Sequence, residues 1–108
     1  MRAVAALTLI ALALTACGPD DDDVAFDGVF FNTRLNTERG NRQDFVVTAR
    51  PASASLTGAR EAARYEATIY CVNRYGRSDI VWLVGPDSPD ESLPITGDTL
   101  TLQGSCRE

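Results

Sequence analysis

The sequence predicts an α+β domain: a small antiparallel sheet with one packed helix, in the order β-β-α-β-β, closed by one disulfide. Three observations predict it. Short segments of alternating apolar residues flank an Ala/Arg/Glu-rich stretch. Turns bearing Gly and Pro separate those segments. Two cysteines, Cys71 and Cys106, stand far apart in the part of the chain that carries this pattern. With 108 residues in total, there is room for one small domain.

The elements follow in order. Val24 to Leu35 reads as a first strand, with Val29, Phe31, Thr33 and Leu35 alternating against Phe30, Asn32 and Arg34. The polar stretch from Glu38 to Arg42 contains Gly40 and suits a hairpin loop longer than two residues. Asp44 to Arg50 reads as a second strand with Phe45, Val47 and Ala49 on one face, and Pro51 ends its ladder. After a linker from Pro51 to Ser55, a helix is expected from about Thr57 to Tyr75. Ser55 and Thr57 are both suitable N-caps, and Gly76 suits the left-handed position beyond the C-terminus. Asp79 to Val84 is the most apolar strand; being apolar on both faces, it reads as central. Gly85 to Glu91 is a loop, and Leu93 to Ile95 is expected along a sheet edge. Thr99 to Gln103 reads as the last strand, entered through a turn at Gly97-Asp98.

The helix carries two apolar stripes. Ala59, Ala63, Ala67 and Cys71 fall at four-residue steps, with Tyr70 beside them. Ala62, Tyr65, Ile69 and Val72 form the other stripe. A bridge from Cys71 to Cys106 would draw the alanine stripe onto the sheet, because small side chains allow close approach. Tyr65, Ile69 and Val72 would then face outward as a surface for a partner. The competing reading buries most of both stripes. A second alternative makes Tyr65 to Val72 a strand, since its residues favour β structure and Tyr65, Ala67, Ile69 and Cys71 alternate.

Composition excludes several kinds of chemistry. The chain has no His, which removes imidazole catalysis and His-ligated metal sites. No Gly-rich phosphate loop, Cys-x-x-Cys pair or nucleophile motif occurs. Most carboxylates fall in turns and at strand ends, where solvation accounts for them. Arg60, Arg64, Glu61 and Glu66 on the helix read as a weak surface ion-pair cluster. Trp82 reads as core. No enzyme activity, metal or cofactor is expected. The formal charge is −5, with no basic surplus, so nothing favours nucleic acid as a partner.

The N-terminus is of another kind. Met1-Arg2 is a minimal basic start, and Ala3 to Leu14 is apolar except for Thr8. Small residues and Cys17 follow, the pattern of a secretory signal peptide. The run falls short of the roughly 20 apolar residues of a membrane span. Leu14-Thr15-Ala16-Cys17 resembles the lipobox of bacterial lipoproteins. That resemblance implies removal of residues 1–16, attachment of diacylglycerol to the Cys17 thiol, and acylation, typically by palmitate, of the new amino terminus. Two or three acyl chains hold a protein stably on a bilayer. Gly18 rather than Asp follows Cys17, which by analogy with enterobacterial sorting favours the outer over the inner membrane, with the domain facing the periplasm. Residues 17–23 form the lipidated Cys and an acidic tether, in which Asp20 to Asp23 repel one another and stay solvated. Residues 24–108 form the globular domain. In an oxidising compartment Cys71 and Cys106 are expected to pair.

Taken whole, the chain resembles the small lipoproteins of GC-rich Gram-negative bacteria. That resemblance implies a membrane partner through the lipid anchor and an envelope protein as a further partner. Ile69-Tyr70-Cys71, followed by Gly76 and an apolar strand, is also similar to the small membrane-anchored inhibitors of C-type lysozyme. Those are β-barrels, so this second resemblance implies a strand at Tyr65 to Val72 and an inhibitory or ligand-binding role.

Overall fold

A computed structural model describes residues 24–108. The signal peptide and acidic tether expected from the sequence, and Cys17, lie outside the described residues. The domain opens with a miniature hairpin, β1 (Ala25–Phe26) and β2 (Val29–Phe30). Strands β3 (Asn32–Glu38) and β4 (Asn41–Arg50) follow, then α1 (Leu56–Tyr75), β5 (Ile80–Val84), β6 (Ile95–Thr96) and β7 (Thr99–Cys106). The main sheet is antiparallel, in the order β3-β4-β7-β5, with β6 also pairing with β7. Helix α1, the one α-helix among the described residues, packs on one face, giving the expected α+β class.

Three expectations are corrected. The first strand is not continuous from Val24 to Leu35. Asp27 and Gly28 both take positive φ, 55° and 75°, and turn the chain into a separate hairpin. This is the conformation that an Asp-Gly pair favours between two strands. The loop between β3 and β4 is only Arg39-Gly40, with Gly40 at φ 86° and Glu38 paired with Asn41. Its slack is absorbed within the ladder, whose register shifts between Thr37 and Glu38. Finally, β5 lies at the end of the sheet, and the central strands are β4 and β7. An apolar run cannot distinguish a strand buried on both faces from one that leaves an apolar face open.

The helix forms as expected and starts at Leu56. Ser55 supplies the cap, its Oγ accepting from Gly58 N at 2.9 Å, and the same hydroxyl donates to Asp27 Oδ2 at 2.6 Å. Gly76, at φ 76°, ends the helix in the left-handed region and donates its N–H to Val72 O. Tyr65 to Val72 lies inside α1, so the barrel implied by the resemblance to lysozyme inhibitors is not the observed fold.

The core lies between α1 and the sheet. Ala59, Ala62, Ala63, Ala67 and Cys71 meet Phe45, Val47, Ala49, Leu100 and Leu102. Ala62 thus leaves the stripe that the sequence pattern assigned to it and joins the buried seam. Close approach is enforced at Gly58, where a Cβ would stand 2.6 Å from Phe26 O and 2.8 Å from the Phe31 ring. Cys71 and Cys106 are bridged, with Cα atoms 5.4 Å apart, fastening the end of α1 to the end of β7. A 35-residue loop closed in this way stabilises by roughly 3–4 kcal/mol in the chain-entropy model. Trp82 packs edge-on to Phe45, with ring centroids 5.5 Å apart, over Gly104, where a Cβ would stand 2.9 Å from the indole. Arg60 draws the loop after β5 onto the helix, donating to Pro86 O at 2.8 Å and Ser88 O at 2.6 Å and pairing with Asp90.

Candidate functional site

Two of the surfaces among the described residues present apolar side chains to solvent together. The first is the outward side of α1. Tyr65, Ile69 and Val72 are 44%, 40% and 43% exposed, while the alanines one step round the helix are buried. The 3.6-residue period separates the two sets, so the helix has one thin buried seam and one apolar outer stripe. Phe26 flanks the stripe, with its ring 5.5 Å from that of Tyr65. Glu66 beside it accepts from Thr33 Oγ1 at 3.1 Å.

The second surface is the sheet face turned away from α1. Side chains alternate along each strand. With Phe45, Val47, Leu100 and Leu102 facing the helix, Asp44, Val46, Gln103 and Ser105 face the other way. On β5, Ile80, Trp82 and Val84 pack toward the core, while Val81 and Leu83 are 51% and 77% exposed. No helix or further sheet among the described residues covers this face. It contains a groove of about 710 Å³ that crosses from the β3–β4 hairpin to β5. A volume of that size falls in the range of about 300–1,000 Å³ typical of ligand sites.

Two irregularities bracket the groove. The β3–β4 register shifts between Thr37 and Glu38, and the β5–β7 register shifts between Trp82 and Val84. Bulges bend strands and re-aim side chains. Here the first lies beside Glu38 and Asp44, and the second leaves Leu83 without a partner on β7. Asp44 is held in place. Ser105 Oγ and Asn41 Nδ2 donate to its carboxylate, the latter at 2.9 Å, and these bonds lower its pKa below the ordinary carboxylate value. Among the described residues neither Glu38 nor Asp44 has an arginine within ion-pair distance, whereas Glu61, Asp79, Asp87 and Asp90 each have one.

No family model, curated protein or solved structure matches the chain.

The site residues expected from sequence therefore separate in space. Cys17 lies outside the described residues. Cys71 and Cys106 meet in the bridge at one end of the core. Tyr65, Ile69 and Val72 share the outer side of α1. Among the described residues no group of three or more His, Cys, Asp or Glu is placed to hold a metal, and no helix is long and apolar enough to cross a membrane. The groove was missed from sequence. Its signal was present in Ile80 to Val84, where apolar residues of both parities imply either a central strand or an uncovered apolar face.

Proposed function

We propose that this protein is a lipid-anchored module of the bacterial cell envelope that acts by binding a protein partner and carries out no catalysis. The observation that carries the reading is the Leu14-Thr15-Ala16-Cys17 lipobox, followed at once by an acidic tether and a single small domain. Cys17 receives the acyl chains, and residues 18–23, stretching on the order of 20 Å, hold the domain clear of the bilayer. The outer membrane is the proposed location, with the domain facing the periplasm. The outer stripe of Tyr65, Ile69 and Val72 is the proposed partner surface, since its exposed apolar side chains leave the core intact when a partner covers them.

Mass spectrometry of the protein from native membranes tests the anchor. The expected species begins at Cys17 and carries diacylglycerol, and Cys17→Ser abolishes it. An unacylated chain, or one cut elsewhere, rejects the anchor. Crosslinking from native membranes tests the surface. A partner captured by the wild type and lost on Tyr65→Ser/Ile69→Ser supports it, and capture unaffected by those changes rejects it. A second reading, a ligand-binding domain, is favoured by the groove on the open sheet face.

A further inference from the structure

We infer that the groove on the open sheet face binds a basic, apolar stretch of polypeptide, its apolar side chains on Val46, Val81 and Leu83 and its cationic groups at Glu38 and Asp44. This inference rests on the ligand-binding reading and names the class of ligand. Four features of the groove support it. Val46, Val81 and Leu83 are apolar at positions where a solvated sheet face would carry polar residues, and Leu83 is the most exposed large apolar side chain described. Both acidic side chains that line it lack an arginine partner, and the lining includes no arginine at all. Asp44 is oriented by Ser105 and Asn41, so its carboxylate is already placed when a ligand arrives. Gln103 and Asn36 supply amide groups to the same groove, suited to the peptide groups of an extended chain. An anionic ligand would meet two carboxylates and no basic side chain among the residues that line the groove. A purely apolar ligand would leave them desolvated and unpaired.

Some carboxylates elsewhere on the domain are already paired, although among the described residues Asp27, Glu66, Glu91 and Asp98 also have no arginine within ion-pair distance. On the helix side, Arg60 and Arg64 already neutralise Asp90 and Asp87. Those acids fasten a loop, whereas Glu38 and Asp44 fasten nothing to an arginine. Exposed opposite charges contribute modestly one at a time, so the two carboxylates act as a filter on an attraction supplied mainly by apolar contact.

The test uses the full chain in a neutral detergent, with methyl-labelled Val and Leu observed by NMR. The probes are a short blocked peptide alternating arginine with leucine, and matched peptides with glutamate or glutamine in place of arginine. The arginine peptide is expected to shift the methyls of Val46, Val81 and Leu83 saturably and to bind at least about tenfold more tightly than the glutamate peptide. E38Q/D44N is expected to weaken the arginine peptide about fivefold or more, and about 0.5 M salt to weaken it similarly, which serves as the test if that variant fails to fold. L83S, at a side chain mostly in water, is expected to weaken all apolar probes, and F30S, at an exposed side chain outside the groove, none. Equal binding of the glutamine peptide overturns the choice of a cation while the ligand-binding reading survives. Absence of a saturable shift with every peptide overturns both. Shifts at these methyls that follow protein concentration alone assign the groove to a second copy of the chain and overturn the inference.

Discussion

Strands β4 and β7 send alternate side chains to two faces, and the two faces follow different chemistry. Toward α1 stand Phe45, Val47, Ala49, Leu100 and Leu102, all buried against a seam of alanines. Away from it stand Asp44, Val46, Thr48, Thr101 and Gln103, in contact with solvent. The covered face is closed by small residues and a disulfide, and its cost of change is measured in stability. The open face is a polar sheet surface interrupted by apolar β5 residues, and its cost of change is measured in binding. Both are written into the same few residues, one parity apart.

The comparison is broken most severely by opening the bridge. Cys71→Ala/Cys106→Ala is expected to lower stability by about 3–4 kcal/mol, read by denaturant unfolding, because the end of α1 loses its tie to β7. On the covered face, Leu102→Ala is expected to cost about 2–5 kcal/mol through lost burial and the cavity left behind. Its neighbour Thr101→Ala, of opposite parity, is expected to stay within about 0.5 kcal/mol. Equal effects at the two positions would remove the distinction between the faces. Ala67→Leu is expected to cost about 1–3 kcal/mol, since the fully buried seam has no room for three more carbons. An unchanged midpoint would mean that α1 rides higher on the sheet than its burial indicates.

The smallest effect sharpens the open face. Asp44 accepts from Ser105 and Asn41, so its folded pKa lies below the unfolded value. Its carboxylate therefore favours the folded state above the ordinary carboxylate range, and that contribution fades as pH falls through the depressed value. Unfolding of wild type and D44N compared across pH should show a small difference at neutrality that vanishes in strong acid. A difference that grows in acid would contradict the sign.

The limits of α1 were legible in the sequence because their signals are local, and the disulfide because Cys71 and Cys106 are the only cysteines after Cys17. Ser55 as cap, Gly76 as stop and a run of good helix formers between them specify the helix regardless of what it packs on. In the β-rich part the local signal was weaker, and two near-range features passed unread. Asp27-Gly28 is a two-residue hairpin sequence, although the apolar residues on either side resemble one strand. The Arg39-Gly40 turn is short because the register shift beside Glu38 takes up the extra residues of β4.

The sequence by itself determined the α+β class, the helix and the parity of the buried strand residues. It also placed a small-residue stripe beside a second apolar stripe on α1. Tertiary structure alone decided that the stripe carrying Tyr65, Ile69 and Val72 stays in solvent, that β5 stands at the edge of the sheet, and that a groove opens between Asp44 and Leu83. The physical reason is the range of the information. Propensity, capping and periodicity act within a few residues. Strand order and the coverage of a face depend on contacts between segments tens of residues apart, and Ile80 to Val84 has the same sequence whether its second apolar face is covered or left open.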